Sequence, residues 1–159
     1  MSKIAVAGGG VLGSQVAFQV AYCGYDVKVW LRSENFFKET QAKLDNLKQN
    51  YINALKEMAL YKEKPVNWYG GLSSEKDFDL DVLLQRVEKA YNSIELVTDL
   101  SVATKDVEFV IECISENLQD KRIFFKMLSP LISKDTIVVT KNIVTIEEAG
   151  PVLIPSKFN

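Results

Sequence analysis

The chain has 159 residues, with 19 basic against 21 acidic side chains, two cysteines and no histidine. A chain of this length fits one domain that buries about two-thirds of its unfolded surface without disulfides or metal. The near balance of charge argues against a nucleic-acid partner or a polybasic membrane anchor, and the lack of histidine removes any imidazole base or metal ligand supplied by this chain. No metal site is expected.

Cys23 and Cys113 lie 90 positions apart in apolar segments, with neither redox-pair nor zinc-ligand spacing. Both are expected to be buried packing thiols in a reducing compartment. Met1-Ser2-Lys3-Ile4-Ala5-Val6-Ala7 lacks the long apolar core of an export signal, and no segment has the length of a membrane span, so a cytoplasmic location without a membrane partner is expected.

Strand-like and helix-like segments alternate from the start, the pattern of βαβ units on a parallel sheet. Lys3 to Ala7 predicts a buried strand, Val11 to Cys23 a helix stopped by Gly24, and Val27 to Leu31 a second strand. Phe36 to Tyr61 reads as one amphipathic helix, with Leu44, Leu47, Tyr51, Ala54, Met58 and Tyr61 stepping by three and four. At about 1.5 Å per residue it runs about 39 Å, longer than a helix that only covers a sheet, so it packs on a hairpin partner or offers a binding surface. Pro65 to Asp79, with Trp68-Tyr69-Gly70-Gly71, reads as a surface loop or a lid.

A helix is predicted again over Asp79 to Asn92, then a strand from Ile94 to Val97, a turn at Thr98-Asp99-Leu100 and an apolar strand from Val107 to Ile114. The next helix begins with Asn117 as cap and Asp120 in its first turn, and Pro130 ends it near Ser129. Thr136 to Thr140 is the last clear strand. Stopping a sheet there leaves an edge or apolar face, which predicts a homo-oligomer.

Gly8-Gly9-Gly10-Val11-Leu12-Gly13 matches G-x-G-x-x-G where a strand hands over to a helix, the context in which the motif binds dinucleotides. Gly8 serves the tight turn, Gly10 the approach to a pyrophosphate and Gly13 the packing of helix on strand, while amides around Val11 and Leu12 face the phosphates. An ordinary glycine-rich turn is the plain alternative. The expected fold is therefore α/β, a Rossmann-type doubly wound parallel sheet with a helical insertion, about 36–92, between the second and third strands. One dinucleotide-binding domain is expected to run from Met1 to Asn159. The cofactor is NAD or NADP. Leu31 stands where an NAD site usually carries an acid. Either Arg32, with no acid beside it, and Ser33 hold a 2′-phosphate, or Arg32 stacks on adenine.

Gly8 to Tyr25, Thr98-Asp99-Leu100 and above all Val110-Ile111-Glu112-Cys113-Ile114-Ser115-Glu116-Asn117-Leu118 with Lys121 resemble the NAD-binding domain of the 3-hydroxyacyl-CoA dehydrogenases. The resemblance spans essentially the whole chain. It implies that Glu116 and Lys121 line the cofactor pocket beside the nicotinamide ribose, with Ser115 among the cofactor-binding residues, and that Asn142 lies near nicotinamide and substrate. On the residues alone, Glu116 and Lys121 read rather as an exposed charge pair within a helix, and Asn142 also as a turn former.

Departures from the family matter. Lys141-Asn142-Ile143-Val144-Thr145 replaces the family's substrate-contacting serine by Val144 and adds Lys141, which is similar to the glycerol-3-phosphate dehydrogenases. The family's catalytic histidine follows a Pro-x-Lys-Phe segment, which here is Pro155-Ser156-Lys157-Phe158, followed by Asn159. The resemblance therefore puts the expected histidine beyond Asn159. No catalytic residue is identifiable in the chain, and its helical dimerisation domain is expected to be absent. The leading expectation is the cofactor domain of an oxidoreductase that passes hydride between a 3-hydroxyacyl-CoA and a nicotinamide cofactor, weak or inactive alone. A non-catalytic dinucleotide-binding module or degenerate paralogue is the alternative, and a lysine-assisted NADP reductase the third reading.

Overall fold

The structure is a computed structural model and describes residues 2–60 and 69–140. Five parallel strands form one sheet: β1 (Lys3–Ala7), β2 (Asp26–Trp30), β3 (Glu95–Val97), β4 (Phe109–Glu112) and β5 (Ile137–Thr140), in the order β3-β2-β1-β4-β5. Parallel neighbours require crossovers, and helices supply them: α1 (Val11–Tyr22), α2 (Phe37–Leu60), α3 (Leu80–Ser93), α4 (Leu100–Ala103) and α5 (Leu118–Leu128). The chain leaves β1 on one side toward β2 and returns on the other as β4, with Ala7 in register with both Trp30 and Glu112. This reversal opens a crevice beyond the carboxyl ends of β1 and β4.

Alternation along each strand feeds two cores. Ile4, Val6, Val27 and Val29 face a layer built by Phe18 and Tyr22 of α1, Leu44, Leu55 and Met58 of α2, and Leu83 and Val87 of α3. On the opposite face, Ala5, Ala7, Trp30 and Val110 meet Leu100 and Ala103 of α4 and Phe124, Phe125 and Leu128 of α5. Trp30 stacks near Phe124 with ring centroids 5.4 Å apart and donates its indole N–H to the Thr98 carbonyl at 2.9 Å. A buried indole keeps its polar handle satisfied in this way.

The element boundaries follow the periodicity with local adjustments. β2 ends at Trp30 rather than Leu31, and β4 covers only Phe109 to Glu112 of the longer apolar run. A 3₁₀ turn, Glu34–Phe36, precedes α2 and is capped by Ser33, whose hydroxyl accepts the Asn35 N–H at 3.2 Å. The long helix forms a hairpin with α3 and also packs on α1, and Leu55 is fully buried where the stripe had placed Ala54. Tyr61 and Trp68 lie outside the described residues, as do the residues from Lys141 to Asn159 that complete the expected domain.

Two expectations near turns are corrected. Thr98-Asp99-Leu100 is not a bare turn: Asp99 accepts the Ser101 N–H at 2.8 Å and caps α4. Hydrogen bonds from Ser101 hold the Asp99 carboxyl below the usual carboxylate range. Cys23 is exposed while Cys113 is buried. The helical stripe ends with Tyr22, which takes the core position, so Cys23 as the C-terminal cap residue of α1 points away from it.

Candidate functional site

The glycine loop sits between β1 and α1 at the crevice, and its three motif glycines have different reasons to be glycine. Gly8 has φ +111° and presses on the next strand's exit, since a Cβ there would stand 2.7 Å from the Cys113 carbonyl oxygen. A Cβ on Gly13 would collide with the Gly8 carbonyl, so the first turn of α1 packs directly on the loop. Around the Cβ position of Gly10 there is nothing within 4 Å. Space is kept there rather than filled by protein.

Gly10 also caps α1 without any side-chain hydrogen bond, and the first turn carries no acid. The amides at that end are left for a ligand or solvent, and the helix dipole favours an anion. Val11 and Leu12 stand exposed on this turn, so what they offer the crevice is backbone.

A cavity of about 600 Å³ opens over the loop. Gly8, Gly9 and Gly10 line it together with Ser115, Asp120 and Arg32. Ile123, Phe124 and Met127 of α5 and Phe36 beside α2 give it an apolar lining wide enough for a flat ring. The remaining wall is α2. Phe36, Glu39, Thr40 and Lys43 all line the cavity, a spacing of three, four and seven that is one helical face. Thr40 fixes this face against the loop: it is buried, it donates to the Gly9 carbonyl at 3.3 Å, and it fills the space a Gly9 side chain would need.

Arg32 does not stand without an acid. Its guanidinium lies 3.9 Å from the Asp120 carboxylate across the cavity mouth and 5.9 Å from the Phe36 ring centroid. Asp120 also accepts the Ser115 hydroxyl at 2.9 Å. Ser33, paired with Arg32 in the sequence reading, is engaged in capping instead. Leu31 is buried on the loop, where its methyl group would meet a Gly9 Cβ at 2.6 Å.

Lys121 and Glu116 do not form the charge pair that their spacing allows. Glu116 is exposed ahead of the helix, outside the cavity lining. Lys121 is buried and donates to Glu112 Oε2 at 2.5 Å, and Glu112 accepts further bonds from the Ile114 N–H at 2.8 Å and the Thr140 hydroxyl at 2.6 Å. Both side chains are almost fully enclosed, at 3% and 0% exposure. The carboxylate at the end of β4 thus joins α5 and β5 to the crevice edge, a role sequence spacing did not signal. Asn142, Lys141 and Val144 lie outside the described residues, and so does the Pro155 to Asn159 segment from which the position of the catalytic histidine was read. No cluster of metal-ligating side chains occurs among the described residues, and no described helix is long and apolar enough to cross a membrane.

The comparisons with known proteins agree with this fold. Residues 3–146 match the family model of the 3-hydroxyacyl-CoA dehydrogenase NAD binding domain. The chain belongs to this family. The matched span stops at residue 146, short of Asn159, so the likeness of Pro155 to Phe158 to the family's histidine segment falls outside it. The chain is 27% identical over 138 residues to a 3-hydroxybutyryl-CoA dehydrogenase of Clostridioides difficile, covering 87% of this chain and 40% of that protein. A solved diketoreductase structure matches 94% of this chain and 46% of its own, at 25% identity and a TM-score of 0.67. The 3-hydroxybutyryl-CoA dehydrogenase of Escherichia coli shares the fold, with a TM-score of 0.65 and 19% identity over 93% of this chain and 26% of that one. The chain therefore spans less than half the length of these relatives. As a member of the family it is an NAD-binding domain.

Proposed function

We propose that this chain holds the dinucleotide of a 3-hydroxyacyl-CoA dehydrogenase, with the pyrophosphate at the Gly8–Gly13 loop and the adenosine half toward Arg32 and Phe36. The observation that carries the reading is the open space at Gly10, at the uncapped start of α1 and at the reversal point of the sheet. These features fit a pyrophosphate better than they fit a plain turn, which would have no reason to leave a helix end unpaired.

Each group then has a physical task. The α1 amides neutralise phosphate charge without a competing acid. Ser115 and Asp120 shape the wall that faces the loop, and the Glu112–Lys121–Thr140 network keeps the ends of β4 and β5 fixed relative to α5. When bound, a nicotinamide supplies the hydride acceptor or donor. Proton transfer from the substrate hydroxyl requires a base, and the 159 residues contain no histidine to provide the family's imidazole. We assign Glu116, Lys121 and Asn142 to the nicotinamide half by resemblance, Ser115 to the cofactor site, and a 3-hydroxyacyl-CoA as the substrate of the complete enzyme. Arg32 at the strand end, with Leu31 in place of an acid, supports acceptance of NADP beside NAD. Exposed Ile137 and Val139 on the edge strand β5 support self-association, which light scattering reads as a dimer or larger species.

The test is a fluorescence titration with NADH and NADPH followed by a turnover assay with 3-hydroxybutyryl-CoA. Saturable binding with turnover about 10²–10⁴ below that of a complete family enzyme is expected. Failure to bind either nucleotide contradicts the reading. A second reading, a non-catalytic dinucleotide module, is favoured by Leu31 where the ribose acceptor would be. Its signature is nucleotide binding with no acyl-CoA dependence under any condition.

A further inference from the structure

The wall of the cavity that remains unexplained is the first turn and a half of α2. Its face toward the cavity carries Glu39 and Lys43, which pair with each other at i and i+4. Lys43 is the more enclosed partner, with 23% of its side chain exposed against 69% for Glu39. Thr40, one position from Glu39, is locked to the Gly9 carbonyl, so the pair is held at a fixed place beside the phosphate loop. Sequence periodicity gave this segment only as the start of an amphipathic helix whose apolar positions begin at Leu44, and here Glu39, Thr40 and Lys43 meet the cavity.

The cavity lining just past the end of β2 offers Arg32, with no acid next to it in the chain. Two cations therefore line the same cavity, one from just past β2 and one from α2. Their acids are not equivalent. Asp120 lies 3.9 Å from Arg32, beyond hydrogen-bond distance, and is bound to Ser115. Glu39 is bonded to Lys43 itself and is the more exposed of the two. An incoming phosphate dianion competes only with one exposed carboxylate for Lys43, and exposed pairs of this kind hold weakly.

We propose that Lys43 is the second cation of a 2′-phosphate site, with Arg32 as the first, and that Glu39 sets cofactor choice as the counter-ion Lys43 leaves when that phosphate binds. The inference rests on the reading of the cavity as a dinucleotide site. It adds a specificity device placed on the helical insertion, where the fold usually reads the ribose from the end of the second strand. With NAD the Glu39–Lys43 pair stays closed. With NADP the ammonium turns to the phosphate and Glu39 faces solvent.

Adenosine fragments isolate this end of the cavity from the nicotinamide half. Calorimetry of 2′,5′-ADP and 5′-AMP is carried out on the full chain, on Lys43→Met and on Glu39→Gln, with an NADH titration as the control for folding. The wild-type chain is expected to bind 2′,5′-ADP more tightly than AMP. Lys43→Met weakens 2′,5′-ADP about tenfold and leaves AMP within about twofold, the scale of one charge-assisted contact at a partly exposed site. Glu39→Gln strengthens 2′,5′-ADP several-fold and leaves AMP unchanged. Equal affinity of the two fragments, or 2′,5′-ADP binding indifferent to Lys43→Met, overturns the proposal while NADH binding leaves the site assignment standing. Parallel loss of both fragments in Glu39→Gln also overturns it, because Glu39 is then an acceptor for the ribose hydroxyls. Absence of NADH, AMP and 2′,5′-ADP binding together instead defeats the underlying site assignment, and the proposal with it.

Discussion

Gly10 and Gly13 are three positions apart and respond to the same substitution in opposite ways. Gly13→Ala drives a methyl group into the Gly8 carbonyl, which must move with the whole loop, so a loss of about 1–3 kcal/mol in denaturant unfolding is expected. Gly10→Ala meets no atom within 4 Å, and it should leave the unfolding midpoint nearly unchanged while nucleotide affinity falls. The motif announced both residues in the sequence, because its spacing encodes a turn, an approach and a packing contact together. Lys121 shows the limit of such spacing. Its partner Glu112 is nine positions away across a strand-to-helix turn, whereas the sequence places Glu116 at an apparently suitable distance. Lys121→Met leaves a carboxylate buried without its cation, and about 3–5 kcal/mol of stability should be lost. Replacing both residues, as Glu112→Leu with Lys121→Met, should cost less than the single change, which a set of urea unfolding curves would show.

At the scale of elements, the hairpin of α2 and α3 is held by apolar contacts that periodicity reported well. Leu44 and Met58 were on the stripe, and Asp79 and Asn117 cap their helices through the N–H groups of Val82 and Asp120. Leu55 was missed because α2 bridges two partners, α1 and α3, and a single straight stripe does not follow both. Tyr51 lies on that bridge, beside Phe18 and Tyr22, and donates its hydroxyl to Gln19 at 2.5 Å. Burial pushes its phenol up to about 12, with smaller contributions from Cys23 and Tyr22. The raised value means that the folded state keeps its proton when the unfolded chain, near the ordinary value of 10, has lost it. Stability linked to Tyr51 is therefore full below about pH 10 and declines between about pH 10 and 12. Unfolding curves across that range should fall less steeply for Tyr51→Phe than for the unaltered chain. The polar positions Glu39, Thr40 and Lys43 were illegible for a different reason: polar side chains at the start of a helix carry no apolar signal to count.

For the whole molecule, alternation of strand and helix was enough to give the parallel sheet, and the glycine motif placed its reversal point. What the pattern left out was which other surfaces converge there. The chain brings the loop after β1, the end of β2, the start of α2, the residues after β4 and one face of α5 to one crevice, from segments far apart in the sequence. A second cavity of about 460 Å³ lies among Tyr22, Tyr25, Gln85 and Lys89 and has no glycine loop or uncapped helix start beside it. The two cavities give the account its most direct test. Amide chemical-shift mapping of the chain with added NADH should move the resonances of Gly8 to Gly13, Thr40 and Ser115 together and leave Gln85 to Lys89 in place. Shifts centred on Tyr22, Tyr25 and Lys89 with the glycine loop unmoved, or no shifts at millimolar nucleotide, would contradict the assignment of the crevice as the dinucleotide site.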